Sequence, residues 1–240
     1  MKARRAPVAG LAEGRVACDE RTSRYLARVL RLGVGDRVVA FDPGRGLEGE
    51  AAIVEVSARG LVLIEVGSLA RPAAPPVALR LVQCVGKGTK LDAVVRDATE
   101  LGVAIVQPVT SARTIVERES AQAHERLVRV AVEAARQCGR ADIPRLEPTR
   151  PLEEVLAVEH EGLGLMLHPR AERRLVDVVR SSEARAFTAL IGPEGGFEDA
   201  EIELATRRGY ASVRLGWTTL RTETAATAVL GALLALCDPT

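Results

Sequence analysis

Aromatic side chains are nearly absent, with three Phe, two Tyr and one Trp among 240 residues. The core must therefore be aliphatic, and an aromatic platform for stacking nucleobases is not expected. Cysteine is scarce as well. Cys18, Cys84, Cys138 and Cys237 lie far apart, with no CxxC and no Cys/His cluster. That spacing excludes the usual structural zinc sites, and the three histidines add no metal-ligand pattern. Scattered cysteines suit a reducing compartment. Excess charge is also missing. The 33 basic and 32 acidic residues leave a net charge of +1, so any surface for nucleic acid must be local. The longest apolar run, Ala225 to Cys237, is shorter than the roughly 20 residues a bilayer span needs. The basic start, Met1 to Arg5, is followed by Pro7, Gly10 and Glu13, which interrupt any signal-peptide core. These absences point to a soluble cytoplasmic protein without a membrane segment.

What is present is a hydrophobic fraction of 47%, ample for one large domain or two modest ones. The clustered prolines of residues 71–76 disfavour helix and lack donors for a sheet, so they read as a stiff linker. Residues 1–70 before it read mostly as strands. Arg37 to Phe41, Ala51 to Val56 and Leu61 to Val66 are rich in β-branched residues and separated by Gly and Asp turns. One helix, from Thr22 to Arg31, interrupts them. It places Leu26, Val29 and Leu30 on one face and Arg24, Arg28 and Arg31 largely on another. A small β-barrel with one helix is expected.

Residues 77–240 alternate strand and helix. Ala78 to Val85 is an apolar run, followed at helical spacing by Leu91, Val94, Val95, Ala98 and Leu101, with Thr89 as N-cap and Gly102 as stop. Val103 to Val109 reads as a strand. Leu127, Val130, Ala131, Ala134 and Cys138 mark a second helix that ends at Gly139. Leu163 to Leu167, Phe187 to Ile191 and Ser212 to Leu215 are further strands, each followed by a helical pattern. The alternation predicts an α/β domain with a helix-covered parallel sheet.

Two strand-to-helix corners concentrate the chemistry. The first is Ile191-Gly192-Pro193-Glu194-Gly195-Gly196-Phe197. The second runs from Leu215-Gly216 to Leu220-Arg221-Thr222-Glu223-Thr224-Ala225-Ala226. Such corners are where α/β folds place ligands. Neither carries GxGxxG or GxxxxGK[ST], so the glycine loop alone reads equally as a tight turn or a cradle.

These two stretches, in this order, resemble the IGPEGG and LRTETA segments of the RsmE family, 16S ribosomal RNA uridine-N3 methyltransferases of the SPOUT superfamily. Further agreement lies in Lys87-Gly88-Thr89-Lys90 through Glu100-Leu101-Gly102-Val103, in Glu133 and Gln137-Cys138-Gly139-Arg140, and in Leu167-His168-Pro169-Arg170. Near the start, Val29-Leu30-Arg31-Leu32 and Gly35-Asp36 also match. The resemblance covers nearly the whole chain. Two positions depart from it: Thr218, where the family commonly has Arg, and Leu127, where it commonly has Trp.

The resemblance implies an N-terminal PUA-like β-barrel and a C-terminal SPOUT α/β domain with a deep trefoil knot. It implies a homodimer that methylates N3 of one uridine in 16S rRNA, near the decoding centre of the small ribosomal subunit, with S-adenosylmethionine as cofactor. The cofactor would sit between three loops. Onto this chain they carry Leu167, His168 and Pro169; Gly192, Glu194, Gly195 and Gly196; and Leu215, Gly216, Leu220 and Thr222. Glu194 would accept from a ribose hydroxyl or stand as a solvated loop carboxylate.

Arg221 and Glu223 are the catalytic candidates. A guanidinium stabilises the oxyanion formed as uracil N3 loses its proton, while an ion pair with Glu223 is the structural alternative. Glu223 can orient Arg221, act as base, or favour the N-terminus of a helix. Attack through a nitrogen lone pair requires no cysteine nucleophile, so Cys138 reads as a packed helix residue. Arg24, Arg28 and Arg31, with Lys87, Lys90 and Arg140, are the candidates for RNA contact. Arg140 alternatively complements a helix C-terminus.

Overall fold

The computed structural model describes residues 4–86, 88–114 and 121–237. Its internal contacts divide the chain into two units. One is Met1–Ala74 together with Val132–Ile143; the other is Pro75–Ala131 together with Pro144–Thr240.

The first unit is built on a five-stranded sheet. Its strands are β1 (Arg5–Pro7), β2 (Gly14–Ala17), β3 (Arg37–Asp42), β4 (Leu47–Val56) and β5 (Val62–Val66). They lie in the order β1-β3-β4-β5-β2, antiparallel except for the β1·β3 pair. The alternation in β5 buries Val62, Ile64 and Val66 and turns Glu65 outward, as a half-buried strand requires. These residues meet Leu11, Leu26, Val38, Ala40 and Ile53 in one aliphatic core.

Asp42 closes this unit. Its buried carboxylate accepts from the backbone N–H groups of Gly10, Leu11, Gly44 and Arg45 and pairs with the Arg45 guanidinium at 3.1 Å. A charge taken from water is tolerated only with such a full set of partners.

Helix α1 (Glu20–Arg24) starts at Asp19, whose Oδ1 accepts from Thr22 N at 2.6 Å. It continues as a π turn over Tyr25–Val29. The i→i+5 bonding of that turn is wider than an α turn and rotates the side chains that follow. Leu26 is therefore buried while Val29 is 65% exposed, which corrects the expectation that Leu26, Val29 and Leu30 share one apolar face. Arg31 ends the segment in the left-handed region, with φ 55°.

The second unit is a parallel sheet. Its elements are β6 (Ala78–Cys84), α2 (Lys90–Glu100), β7 (Ile105–Thr110), α3 (Ala121–Cys138), β8 (Arg145–Leu146), β9 (Arg150–Pro151), α4 (Leu152–Leu156), β10 (Leu163–Leu167), α5 (Leu175–Arg180), β11 (Ala186–Ile191), α6 (Asp199–Arg207), β12 (Ala211–Val213) and α7 (Thr222–Cys237). The end of α3 belongs to the first unit, where Ala135 packs with Phe41 and Ala141.

The strand order is β12-β10-β11-β6-β7-β8, with β9 also on β7, and every pair is parallel. The central strands β6 and β11 are near-continuous apolar runs, as a sheet covered on both faces demands. Because β12, β10 and β11 are parallel neighbours, their C-terminal ends fall along one edge, and the loops leaving them meet there. No helix among the described residues is long and apolar enough to cross a membrane.

Candidate active site

The loops after β10, β11 and β12 enclose a cavity of about 320 Å³. The first brings Leu167, His168 and Pro169 to its wall, and the second Gly192, Glu194 and Gly196. The third brings Leu215, Gly216, Leu220, Arg221 and Thr222, joined by Thr218. Ten of the eleven residues expected to hold a cofactor are thus in one place, together with Arg221. Apolar groups dominate the wall, among them Ile191, Phe197 and Val213, which suits a mostly apolar organic ligand positioned by a few polar groups.

The glycine loop is shaped by two requirements. Gly196 N–H donates to Pro193 O at 2.9 Å, closing a tight turn with Gly196 at φ 71°. A Cβ at Gly192 would lie 3.0 Å from the Phe197 ring, so only glycine lets that buried ring close over the loop.

Gly195 differs. It lies outside the cavity wall, and a Cβ there would meet Arg113 at 3.3 Å. Arg113 Nη1 donates to Gly195 O at 2.9 Å from the outer side. The turn at Pro193–Gly196 faces this residue outward, which the glycine-rich sequence does not disclose.

Thr222 ties the loops to the sheet. Its buried hydroxyl donates to Gly192 O at 2.7 Å and accepts from Gln83 Nε2 at 2.9 Å. Gln83 sits near the end of β6, Gly192 just after β11, and Thr222 at the first turn of α7. One oxygen therefore fixes three segments. Sequence reasoning missed Gln83; the signal available was a polar residue in a central strand whose one other polar residue is Arg80.

The charges are arranged differently from expectation. Lys90, at the start of α2, binds Glu194 Oε1 at 2.5 Å and lies 3.9 Å from Glu223 Oε2. Its pKa is held above the ordinary lysine range, chiefly by the hydrogen bond it donates to Glu194. Lys90 is thus a partner of the glycine loop. Glu194, a solvent-exposed loop carboxylate, pairs with that ammonium.

Glu223 lies in the first turn of α7 and does not line the cavity. Its Oε2 is buried without a hydrogen bond. Among the described residues Arg221 has no carboxylate within ion-pair distance, so its guanidinium is available at the cavity wall, and no Arg221–Glu223 pair forms.

Arg140 is in the first unit and folds back onto Asp142 at 3.0 Å, with its side chain 16% exposed. Arg24, Arg28 and Arg31 are exposed, and among the described residues none of them pairs with a carboxylate. Lys87 lies outside the described residues.

Cys138 is exposed rather than packed, because it falls on the outer side of the last turn of α3, and it is not at the cavity. Burial pushes the Cys84 thiol up to about 12 and Cys18 up to about 11, so both stay protonated and neither is a nucleophile.

The family profile of the RNA methyltransferase domain matches residues 73–234, and that of the RNA methyltransferase PUA domain matches residues 19–66. The chain is an RNA methyltransferase by fold and sequence.

More narrowly, it is 33% identical over 220 residues to ribosomal RNA small subunit methyltransferase E of Synechocystis sp., covering 89% of this chain and 71% of that one. It is likewise 33% identical over 222 residues to the same-named protein of Mycobacterium tuberculosis, covering 87% and 82%. The chain belongs to the ribosomal RNA small subunit methyltransferase E family. A crystal structure of that enzyme from Neisseria gonorrhoeae bound to S-adenosyl methionine superposes with a TM-score of 0.87 at 28% identity, over 98% of both chains. A Legionella pneumophila structure containing bound SAM gives the same TM-score at 29% identity, again over 98% of both chains.

Removing the Thr222 hydroxyl should be costly. Thr222→Val leaves both the Gln83 amide and the Gly192 carbonyl short of a partner and should destabilise the chain by about 2–4 kcal/mol. Thr222→Ser, which keeps the oxygen, should lose about 1 kcal/mol or less. Urea unfolding of the two variants side by side measures the difference; equal midpoints would contradict the role given to this hydroxyl.

Proposed function

We propose that this chain transfers a methyl group from S-adenosylmethionine to N3 of a single uridine in 16S rRNA, near the decoding centre of the small ribosomal subunit. The observation that carries the reading is the convergence of three loops on one cavity whose wall holds an arginine with no carboxylate partner among the described residues, in a member of a ribosomal RNA methyltransferase family. The cavity fits such a cofactor. It is mostly apolar, and it has no phosphate-binding motif, as a cofactor without phosphate requires. Leu167 to Pro169, Gly192, Glu194, Gly196, Leu215, Gly216 and Leu220 would hold it.

The cofactor supplies an electrophilic methyl carbon whose C–S bonding pair stays with sulfur. The protein's part is to position and to manage charge. Arg221 stabilises the negative charge that spreads onto the uracil carbonyl oxygens when N3 loses its proton. Glu223, outside the cavity wall and with Oε2 free of a hydrogen bond, takes that proton through an intervening water. Lys90, paired with Glu194 and 3.9 Å from Glu223 Oε2, links the glycine loop to the start of α7. Thr222 holds the loops in register.

The experiment is methyl transfer to purified small subunits lacking the modification, followed by mass mapping. One methyl on a single uridine is expected, and Arg221→Ala should lower kcat/KM by roughly 100- to 1000-fold. A methyl on another base, or none, would contradict the assignment.

The exposed Arg24, Arg28 and Arg31 support a division of labour in which the N-terminal unit, expected to end near residue 70, grips rRNA by its phosphates. Their joint replacement by Ala should weaken small-subunit binding most at low salt and flatten its salt dependence. An unchanged salt slope would refute the grip.

We also infer a cytoplasmic homodimer that buries the outer face of α7. Thr222–Cys237 is apolar around most of its circumference, and Ala228, Ala232 and Leu236 on it are only half-buried. Light scattering should give twice the 25.6 kDa chain mass; a monomer at micromolar concentration would rule this out.

A further inference from the structure

The aromatic census contains one exception that the function above does not use. Phe41, Phe187, Phe197 and Tyr210 are buried, and Tyr25 is half-buried beneath the Arg136 guanidinium. Trp217, the only tryptophan, is 98% exposed. A lone exposed apolar residue needs no explanation by itself. The position of this one supplies an explanation. Gly216 and Thr218, its two chain neighbours, both line the cavity, and Arg221 follows four residues later on the same loop. The ring is therefore carried on the rim of the site, in a stretch where Leu220 is also 36% exposed.

We propose that the Trp217 indole is a positioning residue, the stacking surface that receives the uracil ring when the target nucleotide leaves its neighbours and enters the site. The inference rests on the methyltransferase reading above. Methylation at N3 requires the Watson–Crick edge of the base to be free, so the nucleotide must be unstacked before it reacts. A base taken out of its stack loses π contacts, and an aromatic face restores them without regard to hydrogen-bond pattern. Indole is the largest such face and, with two χ angles, costs little entropy to order.

The surrounding charge favours RNA over a second copy of this chain. Arg221 on the same loop, and Arg170 and Arg173 on the loop that follows Pro169, are exposed, and among the described residues none of the three pairs with a carboxylate. Such a rim suits a phosphate-bearing strand. The scarcity of aromatic residues makes a multi-ring platform impossible, but one flipped base needs only one ring.

As the sole tryptophan, Trp217 reports on itself. With S-adenosylhomocysteine saturating throughout, its emission should be quenched on titration with a single-stranded RNA oligonucleotide containing one uridine. The same oligonucleotide with an abasic site in place of that uridine should quench much less. On small subunits, Trp217→Ala should raise KM roughly ten- to a hundredfold with kcat little changed and S-adenosylmethionine affinity unaltered. Trp217→Phe should recover most of the loss.

Wild-type KM in Trp217→Ala, or equal quenching by the uridine and abasic oligonucleotides, would overturn the proposal. So would an emission shift that follows protein concentration alone, since a second copy would then cover the ring. Absent methyl transfer by the unsubstituted chain would overturn the methyltransferase reading and this inference together. Normal transfer with an inert Trp217→Ala would overturn this inference alone.

Discussion

One buried hydroxyl holds the candidate site together. Thr222 Oγ1 lies between Gln83 of β6 and the carbonyl of Gly192 after β11, and both bonds are shorter than 3 Å. Parallel strands bring their C-terminal ends to the same edge, but loops at such an edge are free to splay. The hydroxyl removes that freedom for two of the three loops, since Thr222 also closes the segment that begins at Leu215. The third loop needs no such tie. It leaves β10 beside β12, and His168 N–H donates to Val213 O at 3.0 Å. The cavity is therefore a consequence of strand order plus one donor-acceptor chain.

Charge is the second constraint. Lys90 stands between Glu194 on the glycine loop and Glu223 on α7. The Lys90–Glu194 pair faces solvent, where screening keeps its contribution to stability small. The effect of the two contacts is on direction. They occupy the lysine and both carboxylates with one another and leave Arg221, among the described residues, without a carboxylate partner at the cavity. A guanidinium stays protonated at any working pH, so it can meet a developing oxyanion without a prior proton transfer.

Much of this was legible in the sequence. The period of the apolar residues gave the parallel α/β half and the main strands of the β half, because both faces of β6 and β11 are buried and one face of β5 is. The glycine corner and the Arg-Thr-Glu-Thr segment marked the site, since backbone approach and polar clustering leave a composition trace. What was not legible follows from geometry that composition does not encode. The π turn at Tyr25–Val29 moves Val29 outward without any change in spacing. The turn at Pro193–Gly196 aims Gly195 at Arg113 and away from the cavity. Lys90 and Arg140 read as free cations, yet each finds a carboxylate in the fold. The lone tryptophan looked negligible in a count of aromatics and matters only once its place on the rim is known. Strands as short as β8 and β9 leave no periodicity to detect.

The central claim is that these three loops form a single cofactor site that is complete within one chain and needs no metal. Calorimetric titration of S-adenosylmethionine into the protein, with excess chelator present, tests it most directly. The account predicts saturable binding of one molecule per chain, abolished when a side chain as large as Trp replaces Gly192 and its loop can no longer close over Phe197. No binding, binding only after a divalent metal is added, or undiminished binding in a folded Gly192→Trp variant would contradict it.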